Sequence, residues 1–301
     1  MKKLYKPQYL EAANRTLTSE VEQLQEACKL SECQRLKTLC QSYGRCLFIG
    51  IMMLVFQQLG GVNTAMYYGP LIMQNTGVSI EGLTDDESAL VLSIPLGAAN
   101  FLGTIICILY IEKMGRRGVL LRAIPMQALC WVIAAIGMSF TAEGHSESTQ
   151  KTGGIIVIIS IIVYLFFYAI GMGAIPWTVN SEIFPVHLIG TAISIGAASN
   201  WIANFAVAET FKIICGISHG ATVGMYFMLG VFCVFNFLFV WYFLTETAGK
   251  TIDQILTDIL GPGYQDREKA LAKKQDQLSG KDDDDYLAVR SESTNSGTPV
   301  N

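Results

Sequence analysis

Apolar residues along this chain fall in long, nearly unbroken runs. Six of them are long enough for the roughly 20 residues a helix needs to cross a ~30 Å hydrocarbon core: 47–73, 89–111, 118–140, 154–179, 189–215 and 222–244. The second, fourth and sixth carry no charged residue. Arg122 lies near the start of the third, and Glu209 and Lys212 near the end of the fifth. The pattern predicts an all-α membrane protein with six transmembrane helices. A different pattern precedes them. Leu17, Val21, Leu24 and Cys28 follow helical spacing, which predicts an amphipathic helix over 17–40 lying under the membrane region.

Composition sharpens the division. The 301 residues are 51% hydrophobic and 15% charged, against roughly 25% charged in a soluble domain. Residues 1–46 hold 13 of the charges and 245–301 hold 18, leaving 15 for the 198 residues between. The expected domains are therefore a helical linker (1–46), a six-helix bundle (47–244) and a mostly disordered tail (245–301). The tail is polar from Gly261 and includes the run 281–285, a composition unable to bury a core. The opening residues lead into no apolar core, so no cleavable secretion signal is expected. A net charge of −4 suggests no nucleic-acid partner.

Charge asymmetry orients the spans. The first 46 residues carry eight Lys/Arg, the 112–117 loop carries Lys113, Arg116 and Arg117, and the tail carries seven. The opposite loops carry only Lys151, so both termini are expected in the cytosol. There the Asn14-Arg15-Thr16 sequon would go unused. Eight cysteines include no CxxC pair and suggest neither a disulfide framework nor a metal site. His145, His187 and His219 are all expected in loops, and no nucleophile–base arrangement is visible. Neither an enzyme nor a cofactor is expected.

Polar side chains inside hydrocarbon are costly and tend to face a cavity or another helix. At 1.5 Å per residue, Gln57 and Gln58 lie about 15 Å into the first span, near the bilayer midplane. Asn100 in the second span and Asn200 in the fifth reach the same level. Carboxamides donate and accept together, which suits a small neutral polyhydroxylated solute. Each alone also serves as a contact between helices, the role assigned to Gln127 and Asn236. Gln57 and Tyr68 share a helix face, about 20° apart, whereas Asn63 sits about 120° from Gln57 unless Gly60-Gly61 loosens the turn. Tyr67 and Tyr68 either cap a cavity or belong to the interfacial aromatic belt. Gly171, Gly173 and Pro176 should break the fourth span, leaving Trp177 either as a cavity floor or as an interfacial anchor. The first and fourth spans correspond if the six are two sets of three, and a matched pair of interrupted spans marks a binding site in carriers built from inverted repeats.

Several motifs occur in one order. The stretch 57–63 followed by Tyr67-Tyr68 resembles the seventh helix of sugar porters of the major facilitator superfamily. Residues 112–117 are similar to that family's loop between helices eight and nine, 176–177, 182–185 and 199–205 to its helices ten and eleven, and 245–251 to the segment after helix twelve. The resemblance implies that the chain is the C-terminal six-helix bundle of a twelve-helix carrier, preceded by most of its cytosolic linker, with the N-terminal six-helix half as partner. It implies sugar contacts at Gln57, Gln58, Asn63, Asn100 and Trp177, with Asn200 close by, and an outer gate at Tyr67 and Tyr68. It also implies a cytosolic ion-pair cluster of Glu112, Arg116, Arg117, Glu182 and Glu246, from which one family arginine is missing at Ile189.

The motifs look most like inositol carriers, then hexose carriers, working by alternating access in the plasma membrane. Proton coupling stays open, because in proton-coupled relatives the key carboxylate lies in the first helix. The competing reading is a non-transporting membrane protein, truncated or sensor-like, on the same half-fold.

Overall fold

A computed structural model describes residues 31–69 and 82–264, together with Thr18 and Asp266. Most of the amphipathic stretch 17–40 and the tail beyond 266 lie outside the described residues. Within them, α1 (Glu32–Ser42) opens on a capping box in which the Ser31 and Gln34 side chains bond each other's backbone N–H. The first span is split into α2 (Gly44–Leu59) and α3 (Val62–Tyr67). Then follow α4 (Asp85–Met114), α5 (Arg116–Phe140) and α6 (Glu147–Tyr168). A π-helical turn (Ala169–Gly173) leads from α6 into α7 (Ile175–Glu182). The last two spans are α8 (Val186–Cys215) and α9 (His219–Phe243).

Among the described residues, six helical stretches are long and apolar enough to cross a membrane: Gly44–Tyr67, Ser93–Met114, Arg116–Phe140, Glu147–Glu182, Val186–Cys215 and His219–Phe243. Each overlaps one of the six apolar runs, with ends that differ by up to seven residues; residues 70–73 of the first run lie outside the described residues. His187 falls in the first turn of α8 and His219 opens α9, so two of the three histidines expected in loops are helical.

The tail differs near its start. Residues 252–260 form α10 (Ile252–Leu260), which begins with a capping box of Thr251 and Gln254 and buries Ile255, Leu256 and Ile259. An apolar stripe only nine residues long is too short to stand out beside six spans, yet it covers the end of the bundle near α2.

Packing is uneven. α5 sits against α6 and α9, and α8 against α2. At the centre Trp131, fully buried, meets Tyr164 at 4.7 Å and Tyr226 at 5.5 Å between ring centroids. By contrast α4 and α8 leave most of their apolar surface uncovered: 22% of the most apolar window of each is buried, against 44–61% elsewhere.

Candidate functional site: an amide row between two broken spans

Both interruptions expected from glycine and proline are present, and each frees backbone carbonyls. In the first span Gly61 adopts φ +87°, a left-handed conformation that only glycine enters without strain. A Cβ there would also lie 2.9 Å from Leu229 and 3.1 Å from Trp131. The Gly60 carbonyl at this break accepts from Trp131 Nε1 (2.9 Å) and from the Tyr164 hydroxyl (2.7 Å). In the fourth span Pro176 has no N–H to offer the Met172 carbonyl. The Trp177 N–H bonds the Ala174 carbonyl instead of that of Gly173.

Gln57 takes up both freed carbonyls. Its Nε2 donates to Met172 O at 2.7 Å and to Gly173 O at 3.0 Å. Its Oε1 accepts from Asn200 Nδ2 (2.9 Å), and that same nitrogen donates to Leu54 O (2.8 Å). Asn200 Oδ1 accepts from Gln58 Nε2 (3.0 Å), and Gln58 Oε1 accepts from Asn63 Nδ2 (2.7 Å). Four carboxamides from three helices thus form one continuous row, Asn63–Gln58–Asn200–Gln57, ending on the π turn. Asn63 reaches Gln58 because the Gly60-Gly61 break turns α3 away from an ideal helical register.

The row divides by capacity. Gln57 and Asn200 each place both N–H groups on protein oxygens, and both side chains are buried. Among the described residues, Gln58 and Asn63 each use one N–H within the row and keep a second, Asn63 Oδ1 accepts nothing, and no charged group takes part.

Other expected residues fall around the row. Tyr68 stacks on Phe211 (5.4 Å) and donates to Ala208 O (3.3 Å), while Tyr67 is 56% exposed and its hydroxyl accepts from Asn204 Nδ2 (3.5 Å). Together they tie α3 to α8. Asn100 and Trp177 make no hydrogen bond to the row. Asn100 is half-buried on α4, and Trp177 is 38% exposed one turn past the π turn. Sequence reasoning passed over Asn180, which bonds Gly50 O (3.1 Å) and clamps α7 to α2, and Asn204, one turn beyond Asn200, whose buried Oδ1 has no partner among the described residues. The i, i+4 spacing of Asn200 and Asn204 could have pointed to the second. Nothing in the chain singles out Trp131 or Tyr164, whose role depends on where Gly60 lands.

At the other end of the bundle, Arg116 Nη2 bridges Glu112 (3.0 Å) and Glu182 (2.9 Å). Glu246 and Arg117 make different contacts. The Glu246 carboxylate accepts the backbone N–H groups of Arg116, Arg117 and Gly118 at 2.8–3.3 Å and so caps the start of α5, where the helix dipole favours an anion. Gly115, at φ +76°, leaves room for it. Arg117 instead donates to Trp241 O (2.8 Å) and lies over that indole, 5.7 Å from its centre. Arg116 Nη1 and Glu182 Oε2 are buried without a partner among the described residues, which also contain no cluster of three His, Cys, Asp or Glu that could hold a metal.

Six apolar spans around an uncharged polar row define a multi-pass helical membrane protein, and known proteins give the class its family. A family model described as Sugar (and other) transporter matches residues 2–258. The D-xylose-proton symporter of Escherichia coli (strain K12) is 32% identical over 213 residues, covering 69% of this chain and 40% of that protein. Membrane transporter D1 of Leishmania donovani is 35% identical over 203 residues, 67% of this chain and 35% of its own length. Facilitated trehalose transporter Tret1 of Bombyx mori is 31% identical over 210 residues, 69% and 39% of the two chains. Among solved structures, a double-Trp mutant of XylE superposes with a TM-score of 0.64 at 26% identity, over 82% of this chain and 49% of that one. The proton:xylose symporter XylE bound to 6-bromo-6-deoxy-D-glucose gives 0.58 at 29% identity, with the same coverage. The chain belongs to the sugar porter family of the major facilitator superfamily, a family of transporters rather than enzymes. It spans about half the length, or less, of these relatives.

Proposed function

We propose that this chain forms the C-terminal six-helix half of a plasma-membrane carrier that moves a neutral sugar or polyol by alternating access, with both termini cytosolic. The observation that carries the reading is the amide row: it links the two interrupted spans and leaves unused N–H groups on Gln58 and Asn63. Hydroxyls of a solute meet those groups at mid-membrane, and Trp177 offers an apolar ring for a sugar face. Tyr67 and Tyr68 close the outer side, and the Glu112–Arg116–Glu182 cluster latches the inner side. The unpartnered Arg116 Nη1 and Glu182 Oε2 suit further contacts from an N-terminal half. So do the uncovered faces of α4 and α8, the latter carrying the exposed small residues Gly190, Ser194 and Ala198 at one-turn spacing.

The solute is myo-inositol first and a hexose second. The relatives named for xylose and trehalose support the wider class of polyhydroxylated solutes, and the symporters among them favour a proton as co-substrate. The test is uptake of labelled myo-inositol, glucose, xylose and trehalose by the full-length protein. Gln58→Ala and Trp177→Ala should each lower uptake about tenfold or more, the equivalent of one lost hydrogen bond or stacking contact, at normal surface level. Unchanged uptake in both variants rejects this site, and no uptake of any of the four rejects the carrier reading.

A further inference from the structure

The inner end of the bundle holds an apolar cleft that the transport site does not use. α4 packs mainly on α6 and the π turn, and its last turns leave a space of about 270 Å³ against the start of α5. Cys107, Tyr110 and Met114 form one wall, Ala123 the other, and Phe167 and Ile170 the floor. Arg122 lines the same cleft. It is exposed, its Nη1 donates to the Gly118 carbonyl at 2.8 Å, and no carboxylate among the described residues pairs with it. A second cation stands nearby: the Lys113 ammonium lies 5.9 Å from the centre of the Tyr110 ring. The one acidic neighbour on this stretch, Glu112, is held by Arg116.

Depth decides what such a cleft can hold. Arg122 is six residues past the start of α5, about 9 Å along the helix, which places it at or just beneath the lipid headgroups if the charged start of α5 marks the membrane surface. An unpaired guanidinium at that depth either reaches toward water or pairs with an anion. Its planar fork matches a phosphate bidentately. The cleft beside it has the chemistry of an acyl chain, with walls of Met, Phe, Ile and Tyr carbon and no acid. Neighbouring cations at the ends of adjacent spans are the pattern that selects anionic lipid headgroups.

We propose that the α4–α5 cleft is a binding site for an anionic glycerophospholipid, with one acyl chain between the helices, the phosphate on Arg122 and Lys113 as a second cation. The site requires only that these helices cross a bilayer, so it stands or falls separately from the identity of the transported solute.

The test uses the full-length protein reconstituted in phosphatidylcholine vesicles containing spin-labelled phosphatidylserine or spin-labelled phosphatidylcholine, and reads the motionally restricted fraction of each. Wild-type protein should prefer phosphatidylserine. Arg122→Gln should reduce that preference about fivefold, the worth of one cation near a membrane surface. Arg122→Lys should keep most of it, Lys113→Gln should reduce it less, and Ala123→Trp, which fills the cleft, should abolish it. Lys151→Gln, an exposed cation on the opposite side of the bundle, should leave it unchanged. Equal retention of the two lipids by wild-type protein overturns the site, as does a preference that survives both Arg122→Gln and Ala123→Trp. The second result would mean that general surface charge recruits the lipid, or that a further helix covers the cleft.

Discussion

Adjacent glutamines at 57 and 58 carry the same functional group and play different parts. Gln57 holds two backbone carbonyls of the π turn and one amide of Asn200, so its hydrogen-bonding capacity is taken up inside the protein. Removing it leaves the buried Met172 carbonyl without that donor, at roughly 1–3 kcal/mol, and the half-buried Gly173 carbonyl at less. Gln57→Ala and Asn200→Ala should therefore lower the thermal unfolding midpoint of the detergent-solubilised protein as well as uptake. Asn63→Ala should lower uptake with a smaller fall in the midpoint, because it gives up one hydrogen bond, to Gln58, while its second N–H and its oxygen have no partner among the described residues. A midpoint unmoved by either of the first two would show that the row does not hold the broken spans together. The sequence shows that these carboxamides share a depth, because depth follows from counting residues along a straight helix. It cannot show which of them is saturated, because the partners lie 115 to 146 positions away.

Breaks in the first and fourth spans are legible as Gly60-Gly61 and as Gly171, Gly173 and Pro176, since proline and paired glycine act locally. Their consequences are tertiary. The aromatic clasp on the Gly60 carbonyl comes from α5 and α6, and its Trp131 also fills the space that a Cβ at Gly61 would need. Gly61→Ala should cost at least ~1–2 kcal/mol from backbone strain alone, with crowding against Leu229 and Trp131 adding to it. The measurement is the unfolding midpoint beside that of Gly224→Ala, an exposed helical glycine with open space around it. Equal midpoints for the two variants would mean that the break is pliable. Glu246 makes the same point at the other end of α5. Its charge suggests an ion pair, but the chain following α9 brings it to three backbone N–H groups that precede it by more than 120 residues.

Across the whole molecule, the Lys/Arg distribution sets the expected orientation, and that expectation is open to direct test in the full-length protein. A glycosylation sequon carried on a polar insert in loop 141–153 should be used, one in loop 112–117 should not, and Asn14 should remain unmodified. The reverse pattern would invert the topology. The sequence by itself determined the number of spans, their ends to within about two helical turns, the charge asymmetry and the level at which carboxamides lie. All of these are one-dimensional quantities, read from hydropathy and the helical rise. Only the tertiary structure decided which carboxamide meets which, that Gln57 joins the two breaks, that Glu246 caps a helix, and that α4 and α5 leave a cleft beside Arg122. Those outcomes depend on how helices distant in sequence pack, and on carbonyls that become available only where glycine and proline interrupt the backbone ladder.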